Sequence, residues 1–142
     1  MRPARHMRVR MILGLIAAVA LAGAMPSAAA AGALAAQTSD AGGVRVKVTP
    51  GRLAPPAETW DFEVVFDTHT VVLAGDPVRF TVLVDARGRV HAPLRWDGDP
   101  PGGHHREGVL RFRPPEAQSG AIELRLSGVG GVPTLSFRWE RR

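Results

Sequence analysis

Cysteine and tyrosine are both absent from this 142-residue chain, and lysine occurs once, at Lys47. Each absence excludes something. Without cysteine no disulfide can staple the fold, no lipid can be attached through a leader thiol, and no thiolate can act as nucleophile or soft metal ligand. The four methionines (Met1, Met7, Met11 and Met25) all precede residue 26, so the rest of the chain has no sulfur ligand and does not suit Cu⁺. Acidic groups are missing from the start. Arg2, Arg5, Arg8 and Arg10 hold four of the 18 basic residues, and none of the 13 Asp and Glu lies before Asp40. The remainder carries 14 basic against 13 acidic groups, a net of +1. A near-neutral body lacks the concentrated basic face of a nucleic-acid binder.

The basic start runs into an apolar stretch, Met11 to Ala22, followed by Pro26, Ser27 and a series of alanines. Ala29-Ala30-Ala31 and Ala33-Leu34-Ala35 both fit a small-x-small cleavage pattern. This is the layout of a secretory signal peptide, expected over residues 1–36. The apolar core of 12 residues falls short of the roughly 20 that span a bilayer. Membrane contact is therefore expected only through an uncleaved leader, and the chain is expected to be exported, to a periplasm or beyond the cell. Gln37 to Gly43 is small and polar and reads as a flexible junction, which leaves residues 44–142 as a single domain.

In that domain the apolar pattern has period two. The runs are Val44-Val46-Val48, Phe62-Val64-Phe66, Val78-Phe80-Val82-Val84, Leu94-Trp96, Leu110-Phe112, Ile122-Leu124-Leu126 and Leu135-Phe137-Trp139. Turn residues bound each run, among them Pro50-Gly51, Gly75-Asp76-Pro77, Arg87-Gly88 and Pro114-Pro115. No stretch sustains a helical stripe. Seven or eight short strands with one buried face each predict an all-β, antiparallel, immunoglobulin-like β-sandwich. The Cys…Trp…Cys signature of true immunoglobulin domains is absent, so the likeness is architectural.

Chemistry concentrates in Gly102-Gly103-His104-His105-Arg106-Glu107-Gly108 and in Asp67-Thr68-His69. Strand phase places Asp67 and His69 together on the outer face. Carried back from Leu110 and Phe112, it places His105 and Glu107 outward, with His104 and Arg106 on the core side. Imidazole and carboxylate suit Zn²⁺ or Cu²⁺, so His69, His104, His105, Asp67 and Glu107 form a candidate metal set. The same residues also read as structural: a satisfied core histidine at His104, a surface pair at His105 and Glu107, and turn residues around Thr68. His91 reads as a strand-end surface residue, and His6 belongs to the leader. No serine sits in a nucleophile elbow, and the chain reads as non-catalytic. Trp96 and Trp139 share phase with the core. Trp60 precedes its strand and has two readings, a cap on the end of the core or a partly exposed contact for a partner.

The segments Asp67-Thr68-His69, Trp96-Asp97-Gly98 and Gly102 to Gly108, with Leu110-Arg111-Phe112, resemble a pattern in small secreted bacterial proteins of uncharacterised function. The resemblance spans most of residues 44–140 and implies export without implying an activity. The chain is unlike the copper-resistance β-sandwiches, whose ligands include a histidine at the mature N-terminus. Neither cleavage pattern here supplies one, which favours Zn²⁺ over Cu²⁺. Two readings stand: a metal-associated envelope protein, or an interaction module for an envelope protein or glycan in which the histidines are structural.

Overall fold

Period-two alternation requires strands that bury one face each, and the computed structural model shows that outcome over residues 33–142, the residues it describes. The expected leader lies outside them up to residue 32. Nine strands form: β1 (Gln37–Ala41), β2 (Val44–Pro50), β3 (Trp60–Thr68), β4 (Thr81–Val84), β5 (Val90–His91), β6 (Arg95–Gly98), β7 (His105–Phe112), β8 (Gly120–Ser127) and β9 (Thr134–Arg141). They make two antiparallel sheets, ordered β1-β2-β3-β7-β6 and β5-β4-β8-β9. Lettered along the chain from β2, the first is A-B-E-D and the second C′-C-F-G, the strand order of an immunoglobulin-like sandwich. All seven expected runs contribute a strand, and β1 and β5 are additional.

The core lies between the sheets. Val44, Val46 and Val48 of β2, Trp60, Phe62, Val64 and Phe66 of β3, and Leu110 and Phe112 of β7 face Leu83 of β4, Ile122, Leu124 and Leu126 of β8, and Leu135, Phe137 and Trp139 of β9. Phe62 joins the layers. Its ring meets Phe112 edge-on at 5.7 Å within its own sheet and Trp139 of the other sheet at 5.8 Å.

The structure corrects three expectations. Gln37–Ala41 is an edge strand rather than a flexible junction. Gly42 and Gly43 both have positive φ (54° and 82°) and close a two-residue hairpin in which Ala41 pairs with Val44. That turn type matches strand twist, so a Gly-Gly pair pulls the preceding residues into the sheet. The strand is held further by Gln37 Nε2, which donates to Arg138 O (2.6 Å), and by Trp139 Nε1, which donates to Ala35 O (2.7 Å).

The second correction concerns β4. Val78 and Phe80 are not in a strand: Pro77–Phe80 is a single helical turn, capped by Asp76 Oδ1 accepting from Val78 N at 3.0 Å. Asp-Pro supplies an N-cap followed by a proline at the first helical position. The turn rotates the chain out of phase, so Thr81 and Leu83 face inward rather than Val82. Third, Leu94 is exposed, because β6 starts at Arg95 and only Trp96 of the expected pair packs on the core. Of the two readings of Trp60, the structure has the core cap: it is 1% exposed, with the Arg141 guanidinium 4.1 Å above its ring centroid. It closes one end of the core and presents no contact surface.

Because Phe62 touches aromatic rings of both sheets and no disulfide shares the load, Phe62→Ala is expected to cost about 3–5 kcal/mol. Urea unfolding followed by tryptophan fluorescence measures it. A loss below about 1 kcal/mol would show that the sheets are held elsewhere.

Candidate functional site

Four strands of the larger sheet present a polar outer face built from alternate residues. β3 turns out Asp61, Glu63 and Asp67, and β7 turns out His105, Glu107 and Arg111. Antiparallel register sets Asp67 opposite His105 and Asp61 opposite Arg111, while Arg45 of β2 flanks Asp67. The charges pair accordingly. Arg111 Nη1 donates to Asp61 Oδ2 (2.7 Å) and its Nε to Asp97 Oδ2 (2.6 Å), and Arg95 Nε reaches the same Asp97 oxygen at 2.8 Å. These two guanidinium groups, Arg111 first, hold the Asp97 carboxyl below its usual range. Most of the pairs are open to solvent and contribute little to stability individually.

His105 is clamped on this face. Its Nδ1 lies 2.5 Å from Asp67 Oδ1, and its Nε2 lies 3.6 Å from Glu107 Oε2. The Asp67 hydrogen bond, with its charge and that of Glu107, raises the His105 pKa above the ordinary histidine value, against an opposing effect of partial desolvation. The group is therefore biased towards imidazolium, with a carboxylate at each nitrogen. Of the candidate metal set, the structure brings together Asp67, His105 and Glu107. His69 is exposed and borders a shallow depression with Asp40, Arg45 and Asp67. His104 is also exposed, a correction to its expected inward phase. The backbone at Gly102 and Gly103 has positive φ (117° and 71°), and the strand phase established at Arg106 does not extend back through that turn. Among the described residues no group of three or more His, Cys, Asp and Glu side chains is placed to hold a metal ion.

A second carboxylate–imidazole contact arises where none was expected. Asp85, 4% exposed, accepts from the backbone N–H of Arg87 (2.9 Å) and Arg89 (3.0 Å) and from Arg89 Nε (3.2 Å), and lies 2.9 Å from His91 Nε2. Burial is the largest single influence and opposes ionisation. The His91 hydrogen bond and the N–H donors together outweigh it and hold the carboxyl at about 2, below its ordinary 3.8. His91, read as a strand-end surface residue, does end β5 and is half-buried, tied to a tight turn.

The remaining feature is a cleft between the sheets at the end opposite Trp60. Thr68 Oγ1 accepts from Thr70 N and Val71 N, each at 3.2 Å, and turns the chain off β3 into a strap, Val71 to Gly75. The strap docks on the glycine turn: Leu73 N donates to Gly103 O (3.0 Å) and Gly102 N to Leu73 O (2.8 Å). Arg106 fastens it from beneath. At 2% exposure, its Nη1 donates to Leu73 O (3.2 Å) and Gly75 O (2.9 Å), and its Nη2 to Asp99 O (3.2 Å). The Trp96 ring lies 5.8 Å from the guanidinium carbon. Between the strap and the tight turn Val129–Gly131 remains a cavity of about 250 Å³, walled by Val44, Phe66, Leu73, Phe80 and Val129, with exposed Val72 and Arg106 also among its lining residues.

The sequence gave one signal for this cleft, the inward phase of Arg106, an arginine at a core position next to two glycines. The strap's contribution depends on its docking at Gly102 and Gly103, a long-range contact that no local pattern announces. Gly98 and Gly108 also have a definite use. They face each other across β6 and β7, and a Cβ on Gly108 would stand 2.6 Å from both Gly98 Cα and Trp96 Cζ2. Only glycine lets Trp96 lie across the pair.

No protein-family model, curated protein or solved structure matches this chain.

Two titrations check the electrostatics. The raised pKa of His105 means its ion-pair stabilisation is fully present below the ordinary value of 6.5 and is lost as pH rises through the higher folded value. Asp67→Asn is expected to lower the His105 midpoint in an NMR ring-proton titration, and an unchanged midpoint would contradict the clamp. Asp85 has the opposite sense: its contribution is present above about pH 3.8 and is lost as pH falls towards 2. Asp85→Asn should be less stable at neutral pH and lose part of the wild-type decline in stability between about pH 4 and pH 2.

Proposed function

We propose that this chain is an exported, non-catalytic binding module that receives an apolar group in the cleft between its two sheets. One observation carries this reading: the cavity of about 250 Å³, with apolar walls, at an end of the sandwich that side chains could have filled. Sandwich cores pack to crystal-like density, and apolar wall left open forfeits roughly 25 cal/mol per Å² of burial. Gly128, Gly130 and Gly131 border the opening and contribute no side chains to close it. Pockets with apolar walls and a few placed polar groups are the usual form of small-ligand sites.

Other features support the remaining parts of the proposal. The basic-then-apolar leader supports export to the periplasm or beyond. Both hydrogen-bonded imidazoles, His91 and His105, are engaged by carboxylates, a structural use that leaves neither poised beside a nucleophile. With Trp60 buried, recognition of an envelope partner passes to the cleft and its exposed rim residue Val72.

A second reading keeps a divalent ion, Zn²⁺ or Cu²⁺, on the outer sheet face. It is favoured by the approach of Asp67 and Glu107 to the two nitrogens of His105. An ion there would have to displace the proton those carboxylates favour and would have to draw in His69 or His104. Elemental analysis of protein purified without chelators separates the readings, since a stoichiometric metal lost in His105→Ala would move the function to that face.

For the cleft, titration with 1-octanol followed by amide NMR is expected to give saturable shifts confined to Val71–Leu73, Arg106 and Val129–Gly131. Val129→Trp, which fills the opening, should weaken them at least tenfold with the fold intact. Shifts that never saturate, or that spread over the surface, would refute the cleft as the binding site.

A further inference from the structure

Resting on that reading, we infer that the group the cleft takes is a small apolar carboxylate, held by the guanidinium of Arg106. Arg106 is 2% exposed, yet among the described residues its side chain makes no ion pair and bonds only to the carbonyls of Leu73, Gly75 and Asp99. Residues 1–32 contain no Asp or Glu and so offer no side-chain counter-ion either. A guanidinium cannot escape the problem by deprotonation. A buried cation without an anion is costly, and buried charges are as a rule paired.

The donors point the same way. Guanidinium offers five N–H groups, and the three carbonyls take three of them. Among the described residues Nε has no acceptor, although it is fully enclosed, and one N–H of Nη2 is also left over. Nε–H and an adjacent Nη–H make up the edge that a carboxylate grips with two parallel hydrogen bonds. The cavity that Arg106 helps to line is mostly apolar, with Phe66, Leu73, Phe80 and Val129 on its walls and Ser127 at its glycine side. A ligand matching both parts has one carboxylate and a short hydrocarbon body. About 250 Å³ is below the usual range for drug-sized ligands and fits a chain of roughly six to ten carbons.

Arg106 needs no partner of its own for its position, since the three carbonyls and the Trp96 face fix it before any ligand arrives. Nε itself is enclosed, so a carboxylate reaches it only as the packing around Arg106 loosens.

The test compares octanoate, 1-octanol and octylammonium on the full exported protein by amide NMR and calorimetry. Octanoate is expected to bind at least tenfold more tightly than 1-octanol, with its largest shifts at Arg106 and Leu73, and octylammonium is expected not to bind. Val129→Trp should abolish octanoate binding without touching Arg106. Arg106→Lys, which keeps the charge and loses the two-pronged edge, should reduce octanoate to the level of 1-octanol. If that variant does not fold, the comparison of ligands on the wild-type protein and on Val129→Trp still decides. Equal affinity for octanoate and 1-octanol would overturn the carboxylate assignment and leave the apolar cleft standing. Binding of neither would remove both.

Discussion

With no thiol available, the two sheets are held by the side chains between them, and the contact of Phe62 with Trp139 is the aromatic pair that joins them. Phe62 packs against Phe112 beside it and Trp139 opposite, and Phe137 stacks on Trp139 at 6.4 Å. This aromatic group sits towards the Trp60 end, where Arg141 covers the last ring. The other end has Phe66, Phe80 and the half-buried Trp96 more loosely arranged, with centroids 6.2 Å and 6.4 Å from Phe66. The sandwich is thus sealed at one end and open at the other, and the opening follows from how the aromatic residues are distributed along β3.

Much of the fold was legible in the alternation of residues. Period two marked seven strands, and the inward phase of Phe62, Val64, Phe66, Leu110 and Phe112 is found as read. The misreadings share a cause: a local device reset the phase or added a partner. Asp76 and Pro77 wound four residues into a helical turn and shifted β4 by one position. Gly42 and Gly43 recruited β1. The turn at Gly102 and Gly103 released His104 from the face assigned to it. Trp60 stayed open between two readings because what covers it is Arg141, 81 positions further along the chain.

The candidate site was legible only in part. Asp67, His105 and Glu107 meet on one face because a two-residue period and antiparallel register are enough to bring them there. His69 and His104 lie beyond the ends of the paired segments, where register no longer governs. The cleft was least visible of all. Its key side chain belongs to the same Gly-Gly-His-His-Arg-Glu-Gly run, but the residue that matters is the arginine the run buries. Histidine draws attention in a sequence because it binds metals and titrates near neutrality; a buried arginine is recognisable only once its surroundings are known.

The bond from Trp139 Nε1 to Ala35 O has a consequence for maturation. Residues ahead of β1 already belong to the packed structure, since Leu34 rests against the core and the Ala35 carbonyl satisfies the only polar atom of a core tryptophan. Cleavage after Ala31 leaves both in the mature chain. Cleavage after Ala35 removes both and leaves that indole N–H without its acceptor. The two candidate cut sites are four residues apart, and they would release proteins with differently finished edges.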